Sequence, residues 1–320
     1  MFCLNLESID PYFNLAVEEY LLKNSQEDFL ILGINDYSVI IGKHQVAHRE
    51  TDTRYVTEYN IPVIRRISGG GTVFHDPGNL NFSFILKSEH GKQIDFRKYT
   101  LPVISFLLSL GVDAKFEGKN DLKVNGLKIS GNAEHIFHDR VLHHGTLLFN
   151  SDLNMMKDSL RRDTFNYHTK AIMSNPSPVT NLIKVLKNGF KYIDNIDGFR
   201  YQMVNWFLEN SCGSEICNLN PEQINEINLL AESKYKTWEW NYAYGPDYQF
   251  SNYFEFKRTE CFCKMLVSGG IIRKCEFKGH PVLEQFTKKF DDCRHMVSDL
   301  KEVIDQEKFL SSGFDIYNFF

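Results

Sequence analysis

Apolar and polar positions alternate most regularly in residues 79–86, where Leu80, Phe82, Phe84 and Leu86 face one way and Asn79, Asn81 and Ser83 the other. That period of two predicts a strand with one core face and one polar face. Earlier, Asp10 and Pro11 open "FNLAVEEYLL", whose apolar spacing predicts a helix over 11–23. "FLIL", "SVIIG" and "IPVIRR" read as strands, the first two flanking the turn-like "GINDY". "TLPVISFLLSLG" predicts a helix over 101–110 with proline in its first turn and Gly111 as its stop, and further helices are expected at 197–210 and 221–235, the second with Asn220 as cap and Pro221 as first residue. Past the aromatic, turn-rich "WEWNYAYGPDY" come "YQFSNYFEFK", "ECFCKMLV" and "IIRKCEF", read as strands, the last two joined by "SGG", and two short helices are expected to end the chain. Strands and helices are mixed, so the fold class is α+β, with a boundary near 245 dividing a large domain, 1–245, from a small one, 246–320.

Asn125 and Gly126 sit between two short alternating runs, the strongest local hairpin signal. A two-residue turn predicts the pairs Val124 with Leu127, Lys123 with Lys128, Leu122 with Ile129 and Asp121 with Ser130. Asp121, Lys123, Lys128 and Ser130 then share a face. Two lysines directly opposite repel unless solvent screens them or an anion lies across them. In "RVLHHGTLLFN", His144 and Thr146 fall on one side of a strand and His143 on the other, and no acid at ligand spacing supports a metal there.

Composition narrows the class. With 42% hydrophobic and 24% charged residues, 26 Phe and 15 Tyr, the chain is ordinary globular material with large packed side chains. A net charge of −5 argues against a general nucleic-acid binder, so any anion site is local. No basic leader followed by an apolar core opens the chain and no run of 18 apolar residues occurs, so a soluble cytoplasmic protein without membrane or nucleic-acid partners is expected. Seven cysteines without CxxC or zinc-like spacing read as reduced thiols, and none lies between residues 4 and 211.

The densest chemistry is "RRISGGGTVFHDPGN". Gly69, Gly70 and Gly71 can take positive φ and bring backbone N–H groups close to an anion, while Arg65 and Arg66 can add charge-assisted bonds to phosphate. The plainer reading is a flexible turn between strands. The stretch lacks the GK[ST] of a P-loop and the GxGxxG spacing of a dinucleotide fold.

"RRISGGGTVFHDPGNLNFSF", "GKNDLKVNGLKISGNAE" and "LHHGTLLFN", in this order, closely resemble the lipoate-protein ligase A family, and "SPVTNL" and "TWEWNYAYGP" are similar to its later segments. The resemblance implies a mixed-sheet catalytic domain of the biotin/lipoate ligase kind, shared with octanoyltransferases, and a small α+β accessory domain. It implies an enzyme that joins lipoate to ATP with Mg2+, giving lipoyl-adenylate and pyrophosphate, then passes the lipoyl group to a lysine of carrier domains in 2-oxoacid dehydrogenase complexes and the glycine cleavage H protein. By the match, Lys128 is the central lysine. Arg66, Gly71, Thr72, Val73, Phe74, Asn120, Asp121 and Lys128 would contact ATP, and Ser68, Gly69, Gly70, His75, Lys128 and His144 would shape the lipoate site. Asp121 would hold the metal, or merely pair with Lys123 or Lys128. One departure is "SNPSPVTN", where many relatives carry arginines; Lys170 upstream could compensate.

The rival enzyme is an ATP-independent octanoyl or lipoyl transferase, whose relatives commonly use a cysteine thioester; the cysteine-free stretch 4–211 disfavours it. A non-catalytic binding paralogue is the remaining alternative, disfavoured by Lys128 and the complete glycine loop.

Overall fold

The strand Asn79–Lys87 lies inside an eight-stranded sheet whose order is Glu215–Cys217, Phe2–Asn5, Phe29–Ile34, Asn79–Lys87, Arg140–Leu148, Leu127–Phe137, Asp121–Val124 and Lys115–Glu117. Phe2–Asn5 runs parallel to both its neighbours and the other pairings are antiparallel, so the sheet is mixed. The computed structural model describes residues 1–88, 95–161, 163–186, 190, 193–306 and 314–320. They form two compact units: 1–43, 64–157 and 174–236 make the larger, and 44–63, 158–173 and 237–320 the smaller.

The alternation decides the larger unit's layers. Leu80, Phe82 and Phe84 pack with Val103, Phe106 and Leu107 of the helix Phe96–Ser109 and with Phe199, Met203 and Phe207 of the helix Ile196–Asn210 in one buried core. Asn81 and Ser83 face the other way, paired with Thr146 and His144 of the adjacent strand. Over this polar face lies the first helix, Pro11–Asn24, started by Asp10, whose carboxylate accepts the N–H groups of Tyr12 and Phe13.

Three sequence expectations shift. The helix expected at 101–110 begins at Phe96, because Asp95 caps it by accepting the Lys98 N–H, and Pro102 falls inside it. The helix expected over 221–235 is α-helical to Leu230, with the Asn220–Gln223 capping box at its start, and continues as a π-helical turn through Tyr235. In the hairpin, Asn125 and Gly126 both take positive φ, and Val124 pairs with Leu127 and Lys123 with Lys128 as expected. A bulge then moves the remaining register, so Leu122 faces Ser130 and Asp121 faces Gly131.

The smaller unit carries the sheet Tyr167–His168, Tyr248–Phe256, Thr259–Ser268, Ile271–Lys278, with the last two strands turned by Gly269 and Gly270 at positive φ. Cys261, Cys263 and Cys275 are buried in its phenylalanine-rich core, and burial raises all three thiols, so they behave as small hydrophobes.

His295 is fully buried in this unit. It bonds the Tyr248 hydroxyl through Nδ1 and the Phe319 carbonyl through Nε2, while His48 Nε2 donates to the His295 carbonyl. Burial, with Arg161 nearby, depresses His295 to about 4, and burial beside His295 depresses His48 well below its usual value. A histidine depressed in the folded state contributes stability that is present above its unfolded pKa of about 6.5 and is lost as pH falls toward the folded value. His295 alone should therefore remove about 2 kcal/mol between pH 7.5 and pH 5. Urea unfolding followed by Trp238 and Trp240 fluorescence in a Trp206→Phe background measures it, and an unchanged midpoint at pH 5 would contradict the burial.

Candidate active site

Arg65 and Arg66 follow from the strand Val63–Arg65 and enter the glycine triplet. Both are buried, and both guanidiniums turn away from solvent. Arg65 donates to the Gly42 and Lys43 carbonyls. Arg66 donates through Nε to Ser68 Oγ at 2.8 Å, through Nη1 to the Ile40 carbonyl at 3.2 Å, and through Nη2 to the Gly69 and Gly71 carbonyls at 2.5 and 2.7 Å. The loop wraps its carbonyls around a buried cation, and burial lowers that guanidinium to about 10. Both side chains, expected to contact phosphate, spend these donors within the chain: Arg65 on the Gly42 and Lys43 carbonyls, Arg66 on the Ile40 carbonyl and on the glycine loop itself.

Only Gly70 of the triplet takes positive φ, +87°, and a Cβ there would stand 3.1 Å from Arg66 Nη2. Gly71 is closely covered instead: Ser174 atoms lie 3.2–3.4 Å from where its Cβ would be, and Ser174 Oγ accepts the Thr72 N–H at 2.8 Å. Gly69 has open space. Beyond the loop, Val73–His75 pairs with Ser38–Ile41, which burial and pairing fix at Phe74 against Val39.

Lys128 approaches this loop from the hairpin. One point, where a Cβ on Gly131 would sit, is 3.0 Å from Lys128 Nζ and 3.9 Å from Val73 Cγ1, so the glycine leaves room for the ammonium to lie beside the loop's outgoing strand. Nζ is 2.8 Å from Asp121 Oδ1, with both side chains about one-fifth exposed, at 22% and 19%. Lys123 is 3.6 Å from Glu117. The pair Lys123–Lys128 follows the hydrogen-bonded pair that closes the turn, so the Lys128 N–H and C=O point outward. Pro178 O accepts the first at 2.8 Å and Thr180 N–H donates to the second at 3.0 Å. The segment 174–180 therefore ties the glycine loop to the lysine strand. Of this stretch, noted in sequence only as a departure, Ser174 acts through its hydroxyl and Pro178 through its carbonyl.

Of the other expected site residues, Ser68 and His144 come together, with Oγ 2.6 Å from Nε2. His144 Nδ1 is 2.8 Å from a Glu18 carboxylate oxygen. His75 is buried; its Nδ1 accepts from Asn35 Nδ2 at 2.9 Å, and burial, then Arg66 and His144, drive it down to about 3, so it is neutral. Asn120 uses its side-chain N–H on the Asn132 carbonyl, so it braces the hairpin's base. His143 turns to the opposite face, against Phe82 and Tyr99, with Nδ1 2.9 Å from Glu134. Glu18 and Glu19 were not picked out from sequence. In "LAVEEYLL" they stand at the third and fourth positions after Leu15 and before Leu22, on the helix's buried stripe, and acids in such positions are a usable signal.

No group of three or more His, Cys, Asp or Glu placed to hold a metal occurs among the described residues. Asp121 offers a hard carboxylate oxygen, which suits a Mg2+ carried mainly by phosphate and water.

The family described as Lipoyl protein ligase A/B catalytic domain matches residues 10–205. The chain is 34% identical to lipoate–protein ligase 1 of Staphylococcus aureus, over 100% of this chain and 95% of that protein. Among solved structures, lipoate-protein ligase A bound with ATP is 28% identical, with a TM-score of 0.63 over 75% of this chain and 97% of the other. A bipartite lipoate protein ligase from Thermoplasma acidophilum, studied with its E2 lipoyl domain, is also 28% identical, with a TM-score of 0.62 over 75% and 95%.

Behind the site, Gly145 faces Asn132 and Phe82 across the sheet, and a Cβ there would overlap Asn132 Oδ1 and stand 2.6 Å from Phe82 Cζ. Gly145→Ala should destabilise by about 2 kcal/mol as an overpacking change, whereas Gly69→Ala, with open space, should stay within about 0.5 kcal/mol of the parent. Thermal unfolding of the two variants tests this: equal melting temperatures would refute the packing.

Proposed function

The chain belongs to the lipoyl protein ligase A/B family, and on that premise we propose that the cleft between Lys128 and the glycine loop performs both steps of its reaction. The enzyme is an ATP-dependent lipoate–protein ligase. The observation that supports this location is the placement of the Lys128 ammonium beside Gly131 and Val73, next to the loop that Arg66 holds.

In the first step a lipoate carboxylate oxygen attacks the α-phosphorus of ATP and pyrophosphate leaves. Two anions must approach each other, so the barrier falls only if fixed positive charge and donors already stand where the charge gathers. Lys128 supplies the charge, shared between acyl oxygen and α-phosphate. The backbone of Gly71, Thr72, Val73 and Phe74 supplies the surface for the nucleotide, with Arg66 acting through that backbone and Asn120 through the hairpin. In the free chain Asp121 holds the ammonium; with ATP bound, Asp121 would be the protein's carboxylate for the accompanying Mg2+, which would supply neutralising charge to the phosphates. Ser68, Gly69, Gly70, His75 and His144 border the lipoate, and neutral His75 serves as a hydrogen-bonding wall rather than an acid.

In the second step the amine of a carrier lysine attacks the acyl carbonyl, AMP departs and the amine loses a proton, leaving an amide. The proposed acceptors are lipoyl domains of 2-oxoacid dehydrogenase complexes, a reading supported by the archaeal relative studied with its E2 lipoyl domain, and, by the family resemblance alone, the glycine cleavage H protein. Residues 1–245 would carry this chemistry and 246–320 an accessory role. A cytoplasmic setting fits seven unpaired cysteines, and no described helix is long and apolar enough to cross a membrane.

Lys128→Ala should fold normally, since its side chain is partly exposed, yet slow lipoate-dependent exchange of labelled pyrophosphate into ATP by about 100-fold or more. Normal exchange in the variant would remove Lys128 from the reaction. Acyl transfer from an octanoyl carrier without ATP would favour the transferase reading instead.

A further inference from the structure

The glycine loop is not held by Arg66 alone. A continuous buried line of hydrogen bonds runs from the loop to the first helix: Arg66 Nε donates to Ser68 Oγ, Ser68 Oγ stands 2.6 Å from His144 Nε2, and His144 Nδ1 stands 2.8 Å from Glu18 Oε2. The other Glu18 oxygen accepts from Ser83 Oγ. One tautomer satisfies every contact: Nδ1–H donates to Glu18, which leaves Nε2 to accept the Ser68 hydroxyl, whose lone pair then accepts Arg66 Nε–H. At the far end, Arg66 Nη2 gathers the carbonyls on either side of Gly70.

The charges make the line directional. Arg66 is a buried guanidinium that donates to four neutral oxygens: Ser68 Oγ and the Ile40, Gly69 and Gly71 carbonyls. The carboxylate that acts on it electrostatically is Glu18, two hydrogen-bonded residues away. A buried cation without a counter-charge is costly. Removing the negative charge of Glu18 while keeping its shape would leave Arg66 uncompensated and leave one amide oxygen to serve the two donors, Ser83 and His144, that the carboxylate now accepts from. The loop, whose carbonyls are aimed at the guanidinium, would be the first element to relax, since Gly69 has open space and Gly70 already occupies a conformation open chiefly to glycine.

We propose that Glu18 is a positioning residue for nucleotide binding: through His144 and Ser68 it sets the glycine loop around Arg66, without itself touching ATP. This rests on the reading of that loop as the nucleotide site. It differs from a role in bordering the acyl chain, which would affect only the acid substrate.

Two measurements on Glu18→Gln test it. Amide hydrogen exchange should accelerate by about 10-fold or more across residues 66–74 while the core strand Asn79–Lys87 stays protected; this needs no ligand. Calorimetric titration with Mg-ATP, lipoate absent, should show about 10-fold weaker binding, and the double variant Glu18→Gln/Ser68→Ala should bind no worse than the poorer single variant, because both cut one line. Should Glu18→Gln fail to fold, Ser68→Ala carries the same expectation for both measurements. Unchanged exchange across 66–74, or an effect confined to the KM for lipoate with ATP affinity intact, overturns the proposal. A parent protein that shows loop protection yet binds no ATP overturns the nucleotide reading instead.

Discussion

Burial of the Arg66 guanidinium is the constraint around which the site is arranged. A charge in a low-dielectric interior is tolerable only when its donors are met, and here the strand Ser38–Ile41, Ser68 and the carbonyls flanking Gly70 meet them. The same contacts explain the sequence: Gly70 must be glycine because a side chain would strain its φ and crowd Nη2, and Ser68 must present a small hydroxyl to two partners. An arginine pair beside glycines looks like a phosphate clamp, but its geometry turns the cations inward. Those inward donors hold main chain, Arg65 the Gly42 and Lys43 carbonyls and Arg66 those of Ile40, Gly69 and Gly71.

One sheet provides both the scaffold and the polar floor. Because side chains alternate, Phe82 and Phe84 join the helices Phe96–Ser109 and Ile196–Asn210, while Asn81 and Ser83 meet Thr146 and His144 on the opposite surface. The adjacent histidines of "LHHG" show the consequence. His143 lies with Glu134 among aromatic rings in the core, and His144 lies between Glu18 and Ser68. Identical side chains one residue apart take unrelated roles.

Much of this was legible in the sequence because it rests on local periodicity and turn chemistry. The polar row at 79–83, the Asn125–Gly126 turn, the opposed lysines and the Asn220 cap all follow from rules that act within ten residues. What escaped depends on partners distant in the chain. The bulge between Leu122 and Lys123 slips the hairpin by one, which period two cannot foresee. Phe96 begins its helix because Asp95 caps it, a signal overlooked in favour of the proline six residues on. The inward turn of Arg65 and Arg66 is decided by carbonyls at 40–43, and the significance of Glu18 by residues 65 and 126 positions away.

The position of Lys128 shows how those distant partners combine. Turn geometry places it opposite Lys123 and leaves its peptide groups facing outward; Pro178 and Thr180 of the segment 174–180 take those groups, and Ser174 of the same segment caps the loop at Thr72. Gly131 then clears the space into which the ammonium extends toward Val73. Each of these segments would be an unremarkable turn or edge alone. Because the lysine's backbone, the loop's N–H and the space between them are fixed by different stretches of chain, the separation of the ammonium from the glycine loop is set by the fold as a whole, and the buried line from Glu18 through His144 and Ser68 ends on the same loop.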